Sequence, residues 1–210
     1  MSCNTQAQDT SGVIDRSSAL VVSSDAADQA MDKRNLAAAL ERMDGLAADF
    51  EQQIRDSRGQ VMEQSTGQVR LKKPDFRWDV NEPFPQTIVT DGDQLKIYDP
   101  DLEQLTIRSL SEALEDTPLA LLTNEKVVLG DSFAVFDLGD GVFELVPTSP
   151  DALFANIRLS FDAQRLTNLT IRDHLDQVTE IQFLRFKDRS VIRSSDFKLE
   201  VPPETDVIGG

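Results

Sequence analysis

The chain has 210 residues, with 21 Lys and Arg against 37 Asp and Glu, a formal net charge of −16. That balance opposes nucleic acid and anionic membrane surfaces, which need a basic face to neutralise phosphates. A content of 40% hydrophobic and 28% charged residues describes a folded chain with one substantial core; no apolar run reaches the roughly 18 residues that span a bilayer, and lone Cys3 and lone His174 exclude an internal disulfide and a multi-histidine metal site.

In chain order, residues 1–31 are polar and small, lack a sustained period and read as a disordered arm. Met1 to Gln8 lacks the basic start and apolar core of a secretory signal. From Asp32 the pattern turns helical: Leu36, Ala39, Leu40 and Met43 recur at the right spacing, with Asp32 as cap and Gly45 as stop, so a helix of about three turns is expected. After Gly45 the period shortens to two, with Ala48, Phe50 and Ile54 on one face of a strand.

The alternation continues. Val69, Leu71 and Lys73 share a face, then Phe76, Trp78 and Val80. Asp91-Gly92-Asp93 separates Ile88 from Leu95 and Ile97, a hairpin signal, and Asp99-Pro100-Asp101 turns the chain into Leu105 and Ile107. Strands are expected over Phe133–Leu138 and Val142–Val146, joined by Gly139-Asp140-Gly141, and at Ile157, Leu159 and Phe161. Leu166–Ile171, Val178–Phe186 and Phe197–Val201 complete the series. The run is broken at Ser109–Asn124, where Ser111 and Thr117-Pro118 start two short helices, the second rich in leucine.

Short strands at hairpin spacing, with few helices between them, predict one large curled antiparallel sheet in an α+β domain over residues 32–210. The concave face of such a sheet must be packed, covered by helices from 32–44 and 111–123, or left as an apolar groove. Phe76 and Trp78 read either as cavity wall or as ordinary sheet core, and the leucines of the second short helix either as lid or as packed helix.

Other candidates are weaker. His174, flanked by Asp173 and Asp176, has no serine or cysteine motif around it and reads as a polar turn residue, which leaves a hydrolase without support. Asp99, Asp101 and Glu103 lack a full calcium loop and read as a solvated turn. No metal and no cofactor is expected. Residues 91–151 hold fourteen acidic and three basic side chains, whereas Arg70, Lys72, Lys73 and Arg77 cluster. This polarity serves either docking or solubility.

Several motifs occur in a fixed order: Phe50-Glu51-Gln52; Lys72-Lys73-Pro74 followed by Phe76-Arg77-Trp78; Thr90-Asp91-Gly92; Tyr98-Asp99-Pro100-Asp101-Leu102-Glu103-Gln104. Further on come Thr117-Pro118 leading into Leu121-Leu122, Phe143-Glu144-Leu145-Val146-Pro147, and Phe197-Lys198-Leu199-Glu200-Val201-Pro202-Pro203. Over residues 36–208 this chain resembles the periplasmic outer-membrane lipoprotein carriers of the LolA family.

The resemblance implies an incomplete antiparallel barrel with a helical lid over an apolar cavity that takes up lipoprotein acyl chains. It implies partners as well: acylated lipoproteins as cargo, a LolCDE-type inner-membrane transporter as donor and a LolB-type outer-membrane acceptor. A periplasmic carrier needs a signal peptide, so a trimmed or misassigned start is expected. The expected state is a monomer.

The residues assigned to the acyl-chain cavity are Phe50, Val69, Leu71, Phe76, Trp78, Ile88, Leu95, Ile97, Leu105, Ile107, Phe143, Leu145, Ile157 and Leu159. Pro118, Leu119, Leu121 and Leu122 are assigned to the lid. Lys73 stands where the family motif carries an arginine and is the expected lid latch; it keeps the charge without the planar fork. Glu204 and Thr205 replace the basic residue and glycine that usually follow the two prolines. The neighbouring alternative is a membrane-anchored acceptor or another apolar-ligand module, with Ser2-Cys3 resembling a lipidation site that lacks its apolar leader; read plainly, Cys3 is an unpaired tail cysteine.

Overall fold

A computed structural model describes residues 26–43, 45–91, 94–110, 122–123 and 131–209. Its elements are α1 (Ala26–Arg42) and twelve strands. The first six are β1 (Leu46–Arg55), β2 (Val61–Lys72), β3 (Asp75–Glu82), β4 (Gln86–Asp91), β5 (Gln94–Asp99) and β6 (Gln104–Ser109). The rest are β7 (Phe133–Asp137), β8 (Val142–Pro147), β9 (Asn156–Asp162), β10 (Arg165–Arg172), β11 (Val178–Leu184) and β12 (Asp206–Ile208).

All twelve strands form one sheet in the order β12-β6-β5-β4-β3-β2-β1-β11-β10-β9-β8-β7. Two meanders of hairpins are joined at the middle by β1, which pairs antiparallel with β11 from Asp49↔Leu184 to Arg55↔Val178. Residues directly opposite in a ladder share a face, so the register assigns every side chain. The inner face carries Ala48, Phe50, Val69, Leu71, Phe76, Leu145, Ile157, Leu159, Ile181 and Phe183, buried in one cluster with Leu36, Leu40 and Met43 of α1. For one helix to share a core with strands from β1 through β11, the sheet must curl around it.

Four expectations are corrected. The sheet is mixed rather than purely antiparallel, because β12 runs parallel to β6. Helix α1 starts by Ala26, ahead of the Asp32 cap, so the arm expected over 1–31 loses its last residues, and residues 1–25 lie outside the described part. Ala26, Ala27 and Ala30 are strong helix formers that a hydrophobic-period reading overlooks. The Gln29 carboxamide also accepts from the Val135 backbone N–H at 3.0 Å, and Asn35 donates to Asp137 at 2.9 Å, fastening the helix along edge strand β7.

The strand expected over Phe197–Val201 is instead a 3₁₀ turn, Ser194–Phe197, followed by irregular chain. Phe197 is buried with Ala47 and Ile192 on the outer face, and the Arg77 guanidinium donates to the Asp196 and Lys198 carbonyls at 3.1 and 3.2 Å. Those carbonyls are therefore spent on a side chain, and Pro202 and Pro203 cannot donate to a ladder. Finally, β2 begins at Val61, well before the Val69 repeat, through a polar stretch with no apolar alternation.

The outer face is tied by charge. Asp49 accepts from Arg185 Nε at 2.7 Å and from Lys187 Nζ at 3.3 Å. The Arg185 hydrogen bond, with help from Lys187, outweighs burial and holds the Asp49 carboxyl below its ordinary value. Because the folded value lies below the unfolded one, the stabilisation is complete above the unfolded carboxyl range and is lost as pH falls through the folded value. Asp49→Asn is expected to cost up to about 1 kcal/mol at neutral pH, a small amount because both basic partners are well exposed. In urea titrations the gap to the parent should close in strong acid; a gap that persists there contradicts the ion-pair assignment.

Candidate functional site

The site is built from alternate residues of seven adjacent strands. On β1 and β2 the inner-face pairs are Leu46↔Leu71, Ala48↔Val69, Phe50↔Gly67 and Gln52↔Ser65. The row continues across β3 to β5 through Val69↔Trp78, Trp78↔Ile88 and Ile88↔Ile97. In the other direction Gln52 faces Ile181, which faces Leu169. These side chains surround a cavity of about 290 Å³, lined by Leu46, Gln52, Val69, Leu71, Phe76, Trp78, Ile88, Leu95, Ile97, Leu122, Leu169, Ile171, Ile181 and Phe183. No charged residue is among them.

The wall is held by an aromatic stack. The Phe50 and Trp78 rings lie with centroids 3.7 Å apart at 20°, and the Phe183 ring meets Trp78 edge-on at 6.3 Å. Phe50 and Trp78 are two strands apart and meet because Gly67 of β2 has no side chain: a Cβ there would stand 2.6 Å from the Phe50 ring and 1.9 Å from the Asp79 carbonyl oxygen. The β2–β3 ladder also shifts register between Thr66 and Gly67, a local irregularity of the kind that bends a sheet.

Lys73 sits beyond the end of β2, and its ammonium donates to the Leu40 carbonyl of α1 at 2.8 Å. That carbonyl is one of the last four of the helix, which have no partner within it. A cation at this end also meets the negative pole of the helix dipole, a contribution of about 0.3–1 kcal/mol and more where partly buried. Parity in the sequence places Lys73 at the rim of the apolar face; the structure puts it on the C-terminal turn of α1. Just beyond, Gly45 takes the chain into β1 where a Cβ would stand 2.8 Å from the Leu71 carbonyl oxygen.

Of the residues assigned to the cavity, Val69, Leu71, Phe76, Trp78, Ile88, Leu95 and Ile97 line it. Phe50 is fully buried against Trp78 and supports the wall. Phe143, Leu145, Ile157 and Leu159 lie on the same face but belong to the packed core shared with α1. Leu105 and Ile107 are corrected: the β5–β6 register sets them opposite Tyr98 and Lys96, so they face outward, while Thr106 and Arg108 stand opposite Ile97 and Leu95.

Of the lid, Leu122 lines the cavity and is buried with Thr123, both helical, whereas Pro118, Leu119 and Leu121 lie outside the described residues. Sequence reasoning missed Leu46, Gln52, Leu169, Ile171, Ile181 and Phe183. Their alternation is visible, but not the pairing of β1 with β11.

In the basic cluster at 70–77 the two arginines converge on one carboxylate. Asp79 accepts from Arg77 Nε at 2.8 Å and from Arg70 at 3.2 Å, and takes the Thr87 hydroxyl at 2.9 Å. Asp99 caps its own turn by accepting from the backbone of Asp101 and Leu102, and His174 lies in an exposed turn with Nε2 2.9 Å from the Ala152 carbonyl. Among the described residues there is no cluster of His, Cys, Asp or Glu able to hold a metal, and no helix long and apolar enough to cross a membrane.

Residues 41–200 match the family model described as outer membrane lipoprotein carrier protein LolA. The chain is 40% identical over 177 residues to an outer-membrane lipoprotein carrier protein of Chromohalobacter salexigens, covering 82% of this chain and 84% of that protein. It is 37% identical to the carrier protein so described from Hahella chejuensis, over 82% and 86% of the two chains. The fold resembles that of a proposed outer membrane lipoprotein-sorting protein domain of Vibrio parahaemolyticus, with a TM-score of 0.51 at 11% identity over 82% of this chain and 97% of that one.

The Gly67 contacts set a test of the wall. Gly67→Ala is expected to lower stability by about 1–3 kcal/mol and to reduce the near-ultraviolet circular dichroism that Trp78 acquires from its stack with Phe50. An alanine tolerated at parental stability contradicts the close approach.

Proposed function

This chain belongs to the LolA family of outer membrane lipoprotein carrier proteins, and on that footing we propose that it is a periplasmic chaperone that shelters lipoprotein acyl chains in the cavity beside Trp78. In this reading it receives them from a LolCDE-type inner-membrane transporter and delivers them to a LolB-type outer-membrane acceptor. The observation that carries the proposal is the cavity lining, which among the described residues is uncharged and, apart from Gln52, hydrocarbon or aromatic. Carrier work of this kind needs no catalytic group. Cys3, on which the membrane-anchored alternative rests, lies outside the described residues.

Burying one CH₂ is worth about 0.8 kcal/mol, so a single long acyl chain gains on the order of 10 kcal/mol in a dry site. Uptake is therefore easy and release is the harder step. A carrier lowers that barrier if its empty state is stabilised by contacts that cargo must break. Lys73 on Leu40 supplies such a contact, made where the sheet meets α1.

The direct test mixes the purified protein with a triacylated lipoprotein and with the same lipoprotein lacking its acylated N-terminus. Complex formation with the first alone is expected, and equal binding of both overturns the reading. Lys73→Leu removes the cap from Leu40 and is expected to slow release to an acceptor about tenfold while leaving uptake nearly at the parental rate; unchanged release removes the latch role.

A further inference from the structure

Gln52 is the polar side chain among the described residues that line the cavity, and its cross-strand neighbour is polar too. Along the inner face of β1 and β2, moving away from Lys73, the ladder reads Leu46↔Leu71, Ala48↔Val69, Phe50↔Gly67 and then Gln52↔Ser65. Two polar side chains thus face each other immediately beyond the aromatic stack. Gln52 lines the cavity, and Ser65 adjoins it across the ladder without being one of the lining residues. Ser65 is 5% exposed, and its hydroxyl has no hydrogen-bond partner among the described residues. A buried orphan hydroxyl is costly, and in a native structure it calls for an explanation.

The pair's chemistry narrows what could answer it. A serine hydroxyl and a carboxamide N–H₂ both donate to a carbonyl oxygen, and the carboxamide oxygen can also accept from an amide N–H. Among the described residues no cation lines the cavity, so a carboxylate brought to this position would be buried without a counter-charge from them. A neutral ester or amide carbonyl carries no such penalty. Resting on the acyl-chain reading above, we propose that Gln52 and Ser65 form a carbonyl-binding subsite for the linkage at the head of a bound acyl chain, which makes the cavity selective for esterified or amide-linked chains over free fatty acids.

The test compares laurate with methyl laurate at about pH 8, where the acid is ionised, using diphenylhexatriene as a hydrocarbon probe without a carbonyl. The parent is expected to bind the ester at least about tenfold more tightly than the acid. Ser65→Ala and Gln52→Leu should each reduce the ratio of ester to hydrocarbon affinity about three- to tenfold, the scale of one hydrogen bond. Ser65→Ala should also raise the melting temperature of the empty protein, because it removes the orphan hydroxyl. That pairing of higher empty-state stability with weaker ester binding separates the subsite from a structural role.

Equal affinity for ester and acid, or an unchanged ester-to-hydrocarbon ratio in Ser65→Ala, overturns the subsite while leaving the carrier reading intact, provided the hydrocarbon probe binds. Failure of the parent to bind the hydrocarbon probe overturns both.

Discussion

The structure is governed by a mismatch of widths. Twelve strands at about 4.8 Å spacing make a sheet roughly 50 Å across, and one α-helix is only about 10 Å wide. The inner face of that sheet is apolar through most of its strands, yet α1 is the one long helix among the described residues that packs against it. A flat sheet would leave that face in water. Curling brings the two meanders toward the same helix and lets them bury one another. The β7 end closes on α1 through Gln29 and Asn35, while the region centred on β2 and β3 retains unfilled space.

The aromatic stack makes that space a defined cavity rather than a loose core. Phe50 and Trp78 reach across Gly67, and Phe183 comes from the far end of the chain through the β1–β11 pairing. On the outer face Asp79 gathers Arg70, Arg77 and Thr87, and Arg77 also holds the chain after β11. Around the cavity the inner surface is mostly hydrocarbon, while these ion pairs gather on the outer face near the Phe197 cluster. A net charge of −16 makes close approach of two copies electrostatically unfavourable.

How much of this could be read from the sequence depends on the range of the contact. Alternation in Ile157-Leu159-Phe161 and the turn residues around Gly92 and Gly139 locate strands, because both signals are local. The face of Leu105 and Ile107 is not local: the turn after Asp99 has a length that sets Leu105 against Tyr98 instead of Ile97. Alternation fixes phase within a strand but not across a turn. The pairing of β1 with β11, well over a hundred residues apart, leaves no trace in either segment, so Ile181 and Phe183 could be read as strand residues but not as cavity wall. Likewise, the alanine-rich start of α1 has no apolar stripe, and the β7 groups that hold it lie far along the chain. Parity put Lys73 at the rim of the apolar face, but its partner, the Leu40 carbonyl of α1, could not be read from the sequence.

The central claim is that the space beside Trp78 holds acyl chains, and isotope-edited NMR tests it most directly. A palmitoyl group labelled with ¹³C along its length is bound to the protein, and cross-relaxation to protein methyl groups is recorded. Cross-peaks from mid-chain methylenes to Val69, Leu71, Ile88 and Ile181 are predicted. Cross-peaks confined to exposed groups such as Leu102 and Leu175, with the interior methyls silent, would contradict it.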